Sequence, residues 1–305
     1  MTSPAAALAA LRPRLPSPLT EVADDRFTRR GVRLLLKRDD LIHPELPGNK
    51  WRKLEPNLLA AAEAGRRTLL TFGGAYSNHL RATAAAGRLL GFRTIGVVRG
   101  EELAGRPLNP SLARCAADGM ELRFIDRATY RRKAEPEVLA ALVPEDCLVI
   151  PEGGSNAAAA RGCTALGREL RGAAEVVAVA CGTGGTLAGL AAGLAADQRA
   201  IGFPVLKGGF LGAEVERLQR AAFGGRRGNW RLEERFHCGG YARTSPELEE
   251  FSREFGELHD IGLERLYVAK ALYGVTTLLR EGAFAPGTSV AVVVTGAADY
   301  YSSSR

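Results

Sequence analysis

Apolar positions in this chain fall into short blocks that alternate with longer amphipathic stretches, and the alternation is regular over most of its length. Short, mainly apolar blocks predict strands at 32–37, 68–72, 94–98, 121–124 and 148–150. Between them, apolar residues at helical spacing predict helices at 54–64, 78–90, 109–117 and 130–142. Beyond Pro151 the pattern continues with a helix at 157–171, a strand at 176–180, a helix at 187–196 and a strand near 205–210. Helices at 214–222, 246–255 and 267–280 precede a last strand at 290–294. Residues 1–30, rich in Pro and Arg, read as an arm with a short helix, and the Gly- and Arg-rich stretch 224–243 predicts no element.

Strand and helix in strict alternation with short loops imply parallel strands joined by right-handed crossovers. The fold class is therefore α/β, with open, mainly parallel sheets and helices on both faces. A second α/β region begins after Pro151, and no repeat at a solenoid period is present.

Composition narrows the function classes. The chain has 305 residues, enough to bury a large core, and its longest apolar runs are too short or too broken by Gly to span a bilayer. With no charged start followed by an apolar core and cleavage site, a cytoplasmic protein is expected, without a membrane partner. Five cysteines, widely spaced and without C-x-x-C or histidine at ligand spacing, argue against structural zinc and a disulfide framework. The net charge of +7 comes from scattered arginines with no basic run interleaved with aromatics, so anionic small molecules suit it better than nucleic acid.

The candidate chemistry begins at Pro47-Gly48-Asn49-Lys50-Trp51-Arg52-Lys53-Leu54. Gly48 and Asn49 make a turn, Asn49 suits a helix N-cap, and Lys50 then takes the first helical position of a segment running to about Ala64. The exposed N–H groups there carry partial positive charge, and Lys53 adds a second amine one turn along. Both disfavour the ammonium form of Lys50 and poise it as a neutral nucleophile for Schiff-base chemistry. A solvated basic helix start is the competing reading.

Cys181-Gly182-Thr183-Gly184-Gly185-Thr186 lies between a strand and a helix, where small residues let backbone N–H groups and hydroxyls approach an anion. It fits poorly to a dinucleotide fingerprint, since Leu187 stands at the third glycine, and to a P-loop, since no lysine follows Gly185. A tight turn with no ligand is the alternative. Gly73-Gly74-Ala75-Tyr76-Ser77-Asn78-His79 repeats the architecture, with Ser77, Asn78 and His79 able to hold a carboxylate or phenolate oxygen, or with Ser77 only capping the helix. Pro151-Glu152-Gly153-Gly154-Ser155-Asn156 reads as a ligand loop or a hinge. Thr295 follows the last strand, where α/β sheets present groups to ligands, and Tyr241 and Tyr267 are candidates for acid or base work.

Taken together with Lys37-Arg38-Asp39-Asp40, these spaced motifs resemble the D-cysteine desulfhydrase and 1-aminocyclopropane-1-carboxylate (ACC) deaminase family of pyridoxal phosphate enzymes, of the tryptophan synthase β-like fold, fold type II. The resemblance implies that Lys50 forms the Schiff base with pyridoxal 5'-phosphate, that Lys53 helps neutralise its phosphate, and that Gly182, Thr183, Gly184, Gly185 and Thr186 hold that phosphate. It further implies that Asn78 contacts the pyridine 3-oxygen, that Ser77 and His79 face the carboxylate of a small amino-acid substrate, that Thr295 meets the pyridine nitrogen, and that Tyr241 and Tyr267 line the substrate pocket. A large domain of residues 1–52 and 151–305, a smaller one of 53–150 with the cofactor between them, and a homodimer are also implied.

The family's two activities part at two positions. Val268 matches neither the glutamate that follows the tyrosine in ACC deaminases nor the small hydroxyl residue of the desulfhydrases, whereas Thr295 fits the desulfhydrases. A lyase giving pyruvate, ammonia and sulfide from D-cysteine is thus favoured over a deaminase giving 2-oxobutanoate and ammonia, with a non-catalytic pyridoxal phosphate-binding protein as the third reading.

Overall fold

The computed structural model describes residues 4–46 and 48–296; Pro47, which opens the lysine stretch, lies outside them. The N-terminal segment forms helix α1 (Pro4–Ala10), strand β1 (Leu19–Val22), the single turn α2 (Asp25–Thr28) and strand β2 (Arg33–Lys37). Helix α3 (Lys50–Glu63) leads into β3 (Thr68–Gly73), α4 (Asn78–Leu90), β4 (Arg93–Arg99), α5 (Pro110–Ala117) and β5 (Met120–Ile125). Then come α6 (Arg127–Arg131), α7 (Pro136–Leu142), β6 (Cys147–Ile150), α8 (Ala157–Gly162), α9 (Thr164–Glu169), β7 (Val176–Cys181) and α10 (Gly185–Gly193). The chain closes with β8 (Arg199–Pro204), α11 (Leu211–Phe223), β9 (Asn229–Leu232), α12 (Pro246–His259), α13 (Val268–Arg280) and β10 (Ser289–Val293).

These strands build a six-stranded sheet, β1-β2-β10-β7-β8-β9, and a four-stranded sheet, β5-β4-β3-β6. All neighbours run parallel except the edge pair β1–β2. In the larger sheet the period-two alternation of each strand feeds two cores. Leu34, Leu36, Val176, Ala178, Val290 and Val292 pack with α12 and α13 on one face. Leu35, Val177, Val179, Ala291 and Val293 pack with α9, α10 and α11 on the other. Burial on both faces is why these strands read as unbroken apolar runs. Around the smaller sheet, Leu69 and Ile150 pack with Trp51, Leu54 and Leu58 of α3 and with Ala82 and Ala85 of α4. Leu70, Phe72, Ile95 and Val97 cover the opposite side with Tyr130.

The fold class and most elements agree with the sequence pattern, and the departures have local causes. Strand β1 is four residues long and mostly exposed, so no period marks it; pairing with β2 makes it a strand. The expected helix over 130–142 breaks into α6 and α7 because Pro136 starts a new helix. The helix expected over 157–171 divides at Cys163, where the Thr164 hydroxyl donates to the Arg161 carbonyl. The strand expected near 205–210 lies earlier, as β8, in a block interrupted by Gly202 and Pro204. The stretch left without an element contributes β9, again an edge.

Candidate active site

Strands of both sheets bring their carboxyl ends to one cleft, where α/β sheets present ligands. From the larger sheet, the loop after β2 delivers Lys50, β7 runs into Gly182–Gly184, and β10 ends at Thr295. From the smaller sheet, β3 leads to Ser77 and Asn78, β6 to Glu152 and Gly153, and β4 ends at Arg99. Together they enclose a cavity of about 390 Å³.

Lys50 is held there by backbone rather than by a cap. The Asn49 N–H donates to the Thr295 carbonyl at 3.1 Å, and Gly48, at φ +61°, lies so close that a Cβ would stand 1.9 Å from the same oxygen. Asn49 occupies the cap position, but its side chain does not cap α3 as expected from the sequence: its Nδ2 donates to Thr186 Oγ1 at 3.2 Å, and its Oδ1 accepts from Lys50 Nζ at 3.2 Å. Asn49 therefore links the lysine to the glycine-rich turn.

Behind the lysine, Arg52 is locked into a buried ion network. Its guanidinium donates twice to Asp39 and twice to Glu169, all at 2.8 Å, while Lys37 Nζ lies 2.6 Å from Glu169. Asp39 also accepts from the Ser17 hydroxyl at 2.6 Å. Two cations and two carboxylates satisfy one another, which an isolated buried charge could not do. The charged block at 37–40 thus fixes the first turn of α3.

Burial pushes the Lys50 amine down to about 7, and the neighbouring Lys53 charge adds to the shift. The direction matches the sequence argument, but removal from water is the larger cause. Lys53 itself is buried and its amine is also lowered by burial; its Nζ donates to the Gly153 carbonyl and to Ser155 Oγ, each at 3.0 Å. Ser155 Oγ shares a 2.6 Å hydrogen bond with Thr183 Oγ1. Gly185 does not line the cavity. It makes this junction possible, because a Cβ there would fall 2.6 Å from Ser155 Oγ and 3.3 Å from Lys53 Nζ.

At the start of α4, Ser77 caps the helix by accepting from the Leu80 N–H at 3.3 Å. The His79 ring is 1% exposed and bonded to Thr71 Oγ1 at 2.7 Å. Because the Thr71 hydroxyl donates to the Ile150 carbonyl, His79 Nε2 carries the hydrogen and Nδ1 the lone pair. Burial, with Lys50 and Lys53 nearby, keeps the ring neutral, well below the ordinary histidine range. A neutral ring with this tautomer offers no donor to a carboxylate, so what residue 79 can give an anion is its backbone N–H.

Tyr241 and Tyr267 meet edge to face with ring centroids 6.2 Å apart, and Tyr267 lies over Gly182, where a Cβ would touch its hydroxyl at 3.4 Å. The Tyr241 hydroxyl reaches the Tyr76 carbonyl at 3.4 Å, and burial raises its pKa. All other sequence-predicted residues, Lys50, Lys53, Ser77, Asn78, His79, Gly182, Thr183, Gly184, Thr186 and Thr295, reach the same cavity. Sequence reasoning missed Arg99, whose only signal is its place at the end of β4, and Phe210, which no local pattern marks as a cavity residue.

A half-neutral lysine, an α10 N-terminus stripped of side chains, a second buried amine beside it, and hydroxyls at two strand ends fit a carbonyl compound with an anionic tail. The arrangement defines an enzyme class, one that carries a phosphorylated aldehyde on a lysine. The chain belongs to the pyridoxal-phosphate dependent enzyme family, whose model matches residues 12–296. A Pyrococcus horikoshii protein named putative 1-aminocyclopropane-1-carboxylate deaminase is 32% identical over 268 residues, 83% of this chain and 81% of that protein. D-cysteine desulfhydrase of Klebsiella pneumoniae is 28% identical over 295 residues, 88% of each chain. The solved structure of an ACC deaminase homologue superposes with a TM-score of 0.77 at 28% identity, covering 97% of this chain and 95% of that one. The protein is accordingly a pyridoxal phosphate-dependent enzyme of the lyase and deaminase group, and no helix among the described residues is long and apolar enough to cross a membrane.

Proposed function

We propose that the enzyme is a D-cysteine desulfhydrase-type lyase, which converts a small D-amino acid carrying a β-thiol, with water, to pyruvate, ammonia and sulfide. One observation carries the choice. Thr295 lines the cavity at the end of β10, while Val268, where ACC deaminases bear a glutamate, is fully buried in the core and brings no carboxylate to the site. A hydroxyl supports an unprotonated pyridine nitrogen and so a weaker electron sink, which suffices when a good leaving group carries electrons away.

Pyridoxal phosphate supplies the electron sink at the substrate α-carbon. Lys53, Gly182, Thr183, Gly184 and Thr186 would hold its phosphate, Asn78 its 3-oxygen and Thr295 its pyridine nitrogen. Lys50 would carry the aldehyde, and its amine, already half neutral at pH 7, is the base placed to take the substrate α-proton. Ser77 and the first N–H groups of α4 bind the substrate carboxylate, and Tyr241 and Tyr267 wall the leaving-group side and exchange protons there. In this reading residues 53–150 form a smaller lobe against 1–52 and 151–305, and the reach of Tyr241 to Tyr76 supports closure that keeps water from the reacting carbon.

ACC deaminase activity is the second reading, favoured by the name of the Pyrococcus horikoshii relative. The test is to incubate the purified holoenzyme with D-cysteine and separately with ACC, measuring sulfide, pyruvate and 2-oxobutanoate. Sulfide and pyruvate in equal amounts, abolished in Lys50→Ala, are expected. Release of 2-oxobutanoate with no sulfide would overturn the choice, and a Lys50→Ala enzyme at wild-type rate would overturn the mechanism.

A further inference from the structure

Two buried charges flank Tyr267, three residues to either side of it, and neither lines the cavity. Glu264 is 1% exposed, and its carboxylate accepts from the N–H groups of Leu266 at 2.8 Å, Tyr267 at 2.8 Å and Val268 at 3.2 Å. The Val268 N–H is the first of α13, Leu266 and Tyr267 lead into the helix, and the cap residue Tyr267 (φ −124°, ψ −67°) makes no side-chain cap of its own. Glu264 does the capping from outside the helix.

Lys270, fully buried in α13, reaches the other way. Its Nζ donates to the carbonyls of His237 and Gly240, each at 3.0 Å. The loop it grips is unusual. Cys238 (φ +53°), Gly239 (+87°), Gly240 (+133°) and Ala242 (+58°) all lie in the left-handed half of backbone space, two of them not glycine. Such a segment forms no ladder or helix that would hold its carbonyls, and the ammonium gathers two of them at one point. The next residue along is Tyr241.

We infer that Glu264 and Lys270 are positioning residues: Glu264 sets Tyr267, Lys270 sets Tyr241, and together they build the two-ring wall on the substrate side of the cavity. Each charge is bonded to main-chain groups of a segment that bears or adjoins a ring, three N–H donors for Glu264 and two carbonyls for Lys270, so charge here serves placement of those segments. The inference rests on the reading that both tyrosines face substrate.

The experiment uses the holoenzyme with Lys270→Met, Glu264→Gln, Tyr241→Phe and Tyr267→Phe, singly and in pairs. Cofactor absorbance is expected to stay at the wild-type level in Lys270→Met while kcat/KM for D-cysteine falls about tenfold to a hundredfold, the cost of a misplaced contact. In the Tyr241→Phe background Lys270→Met should lower kcat/KM by less than about threefold further, and Glu264→Gln should behave likewise with Tyr267→Phe. Fully multiplicative effects would overturn the inference. A second readout needs no substrate: hydrogen exchange should rise at least about tenfold in residues 238–243 of Lys270→Met and in 266–268 of Glu264→Gln, each without the other. Unchanged local exchange would overturn the inference even if D-cysteine is not turned over, whereas an inactive wild type with the expected exchange would sink only the elimination reading. Lys270→Gln, with donors on a shorter neutral chain, takes the place of Lys270→Met should that variant not fold, with the same outcomes.

Discussion

In the proposed mechanism cofactor capture depends on the state of the Lys50 amine, which can be titrated directly. At pH 7 an amine with a pKa of about 7 is half neutral, where an ordinary lysine at 10.5 is neutral in about one molecule in three thousand. The gain in nucleophile is therefore about a thousandfold. The assay strips the cofactor, exposes the protein to pyridoxal, which lacks the titrating phosphate, traps the adduct by mild reduction and quantifies labelling at Lys50 by peptide mass. Initial labelling should rise about tenfold per pH unit below 7 and level off above about 8. Lys53→Met removes a like charge that disfavours the ammonium, so the amine pKa rises and the inflection moves to higher pH. Linkage gives a second reading of the same shift. The folded pKa lies below the unfolded one, so the penalty is fully present below pH 7. It is relieved as pH climbs from about 7 to 10.5, where the unfolded chain holds the extra proton. Cofactor-free protein should gain on the order of a few kcal/mol of stability across that window from this group. Labelling that climbs tenfold per unit through pH 9 would mark Lys50 as an ordinary solvated lysine and refute the reasoning.

Three further outcomes can be checked on stability and binding. Arg52→Met leaves Asp39 and Glu169 buried without their shared partner and should cost about 3–5 kcal/mol in urea unfolding, whereas Arg253→Ala, which breaks exposed pairs with Glu250 and Glu257, should leave the urea midpoint nearly unchanged. Gly185→Ala drives a methyl into Ser155 Oγ and crowds Lys53 Nζ, so affinity for pyridoxal phosphate, measured by equilibrium dialysis, should fall at least about tenfold. Gly48→Ala and Gly91→Ala both place alanine at positive φ, but only the first meets backbone, at 1.9 Å; Gly91 faces open space. Unfolding of Gly91→Ala should cost about 1 kcal/mol and of Gly48→Ala several times more, with loss of cofactor.

Periodicity and turn chemistry determined much of this protein by themselves. Strands buried on both faces had to be continuous apolar runs, so β3, β4, β7 and β10 announced themselves, and the single-period helices α4 and α11 did likewise. Edge strands β1 and β9 did not, because what makes them strands is a neighbour's free hydrogen-bonding edge rather than their own residues. The glycine-rich turns and Lys50, which the fold brings to one cavity, were legible because they are runs of particular residues at close spacing beside a strand or a helix start.

Tertiary structure alone decided the rest. Arg52 looked like one more cation beside Lys50, and only the fold brings it to Glu169, 117 positions away. Asn49 had the right identity for a cap, but Thr186 and the lysine take its side chain, since side-chain bonds go to whichever partner the fold brings near. His79 was expected at a substrate carboxylate, and the Thr71 hydroxyl, fixed by the Ile150 carbonyl, leaves its ring nothing to donate. Burial sets the largest part of the Lys50 shift, and burial is a property of the surrounding volume, not of a sequence window. Sequence names the groups able to do the chemistry; distance and dielectric, which exist only in the folded chain, assign each of them its state.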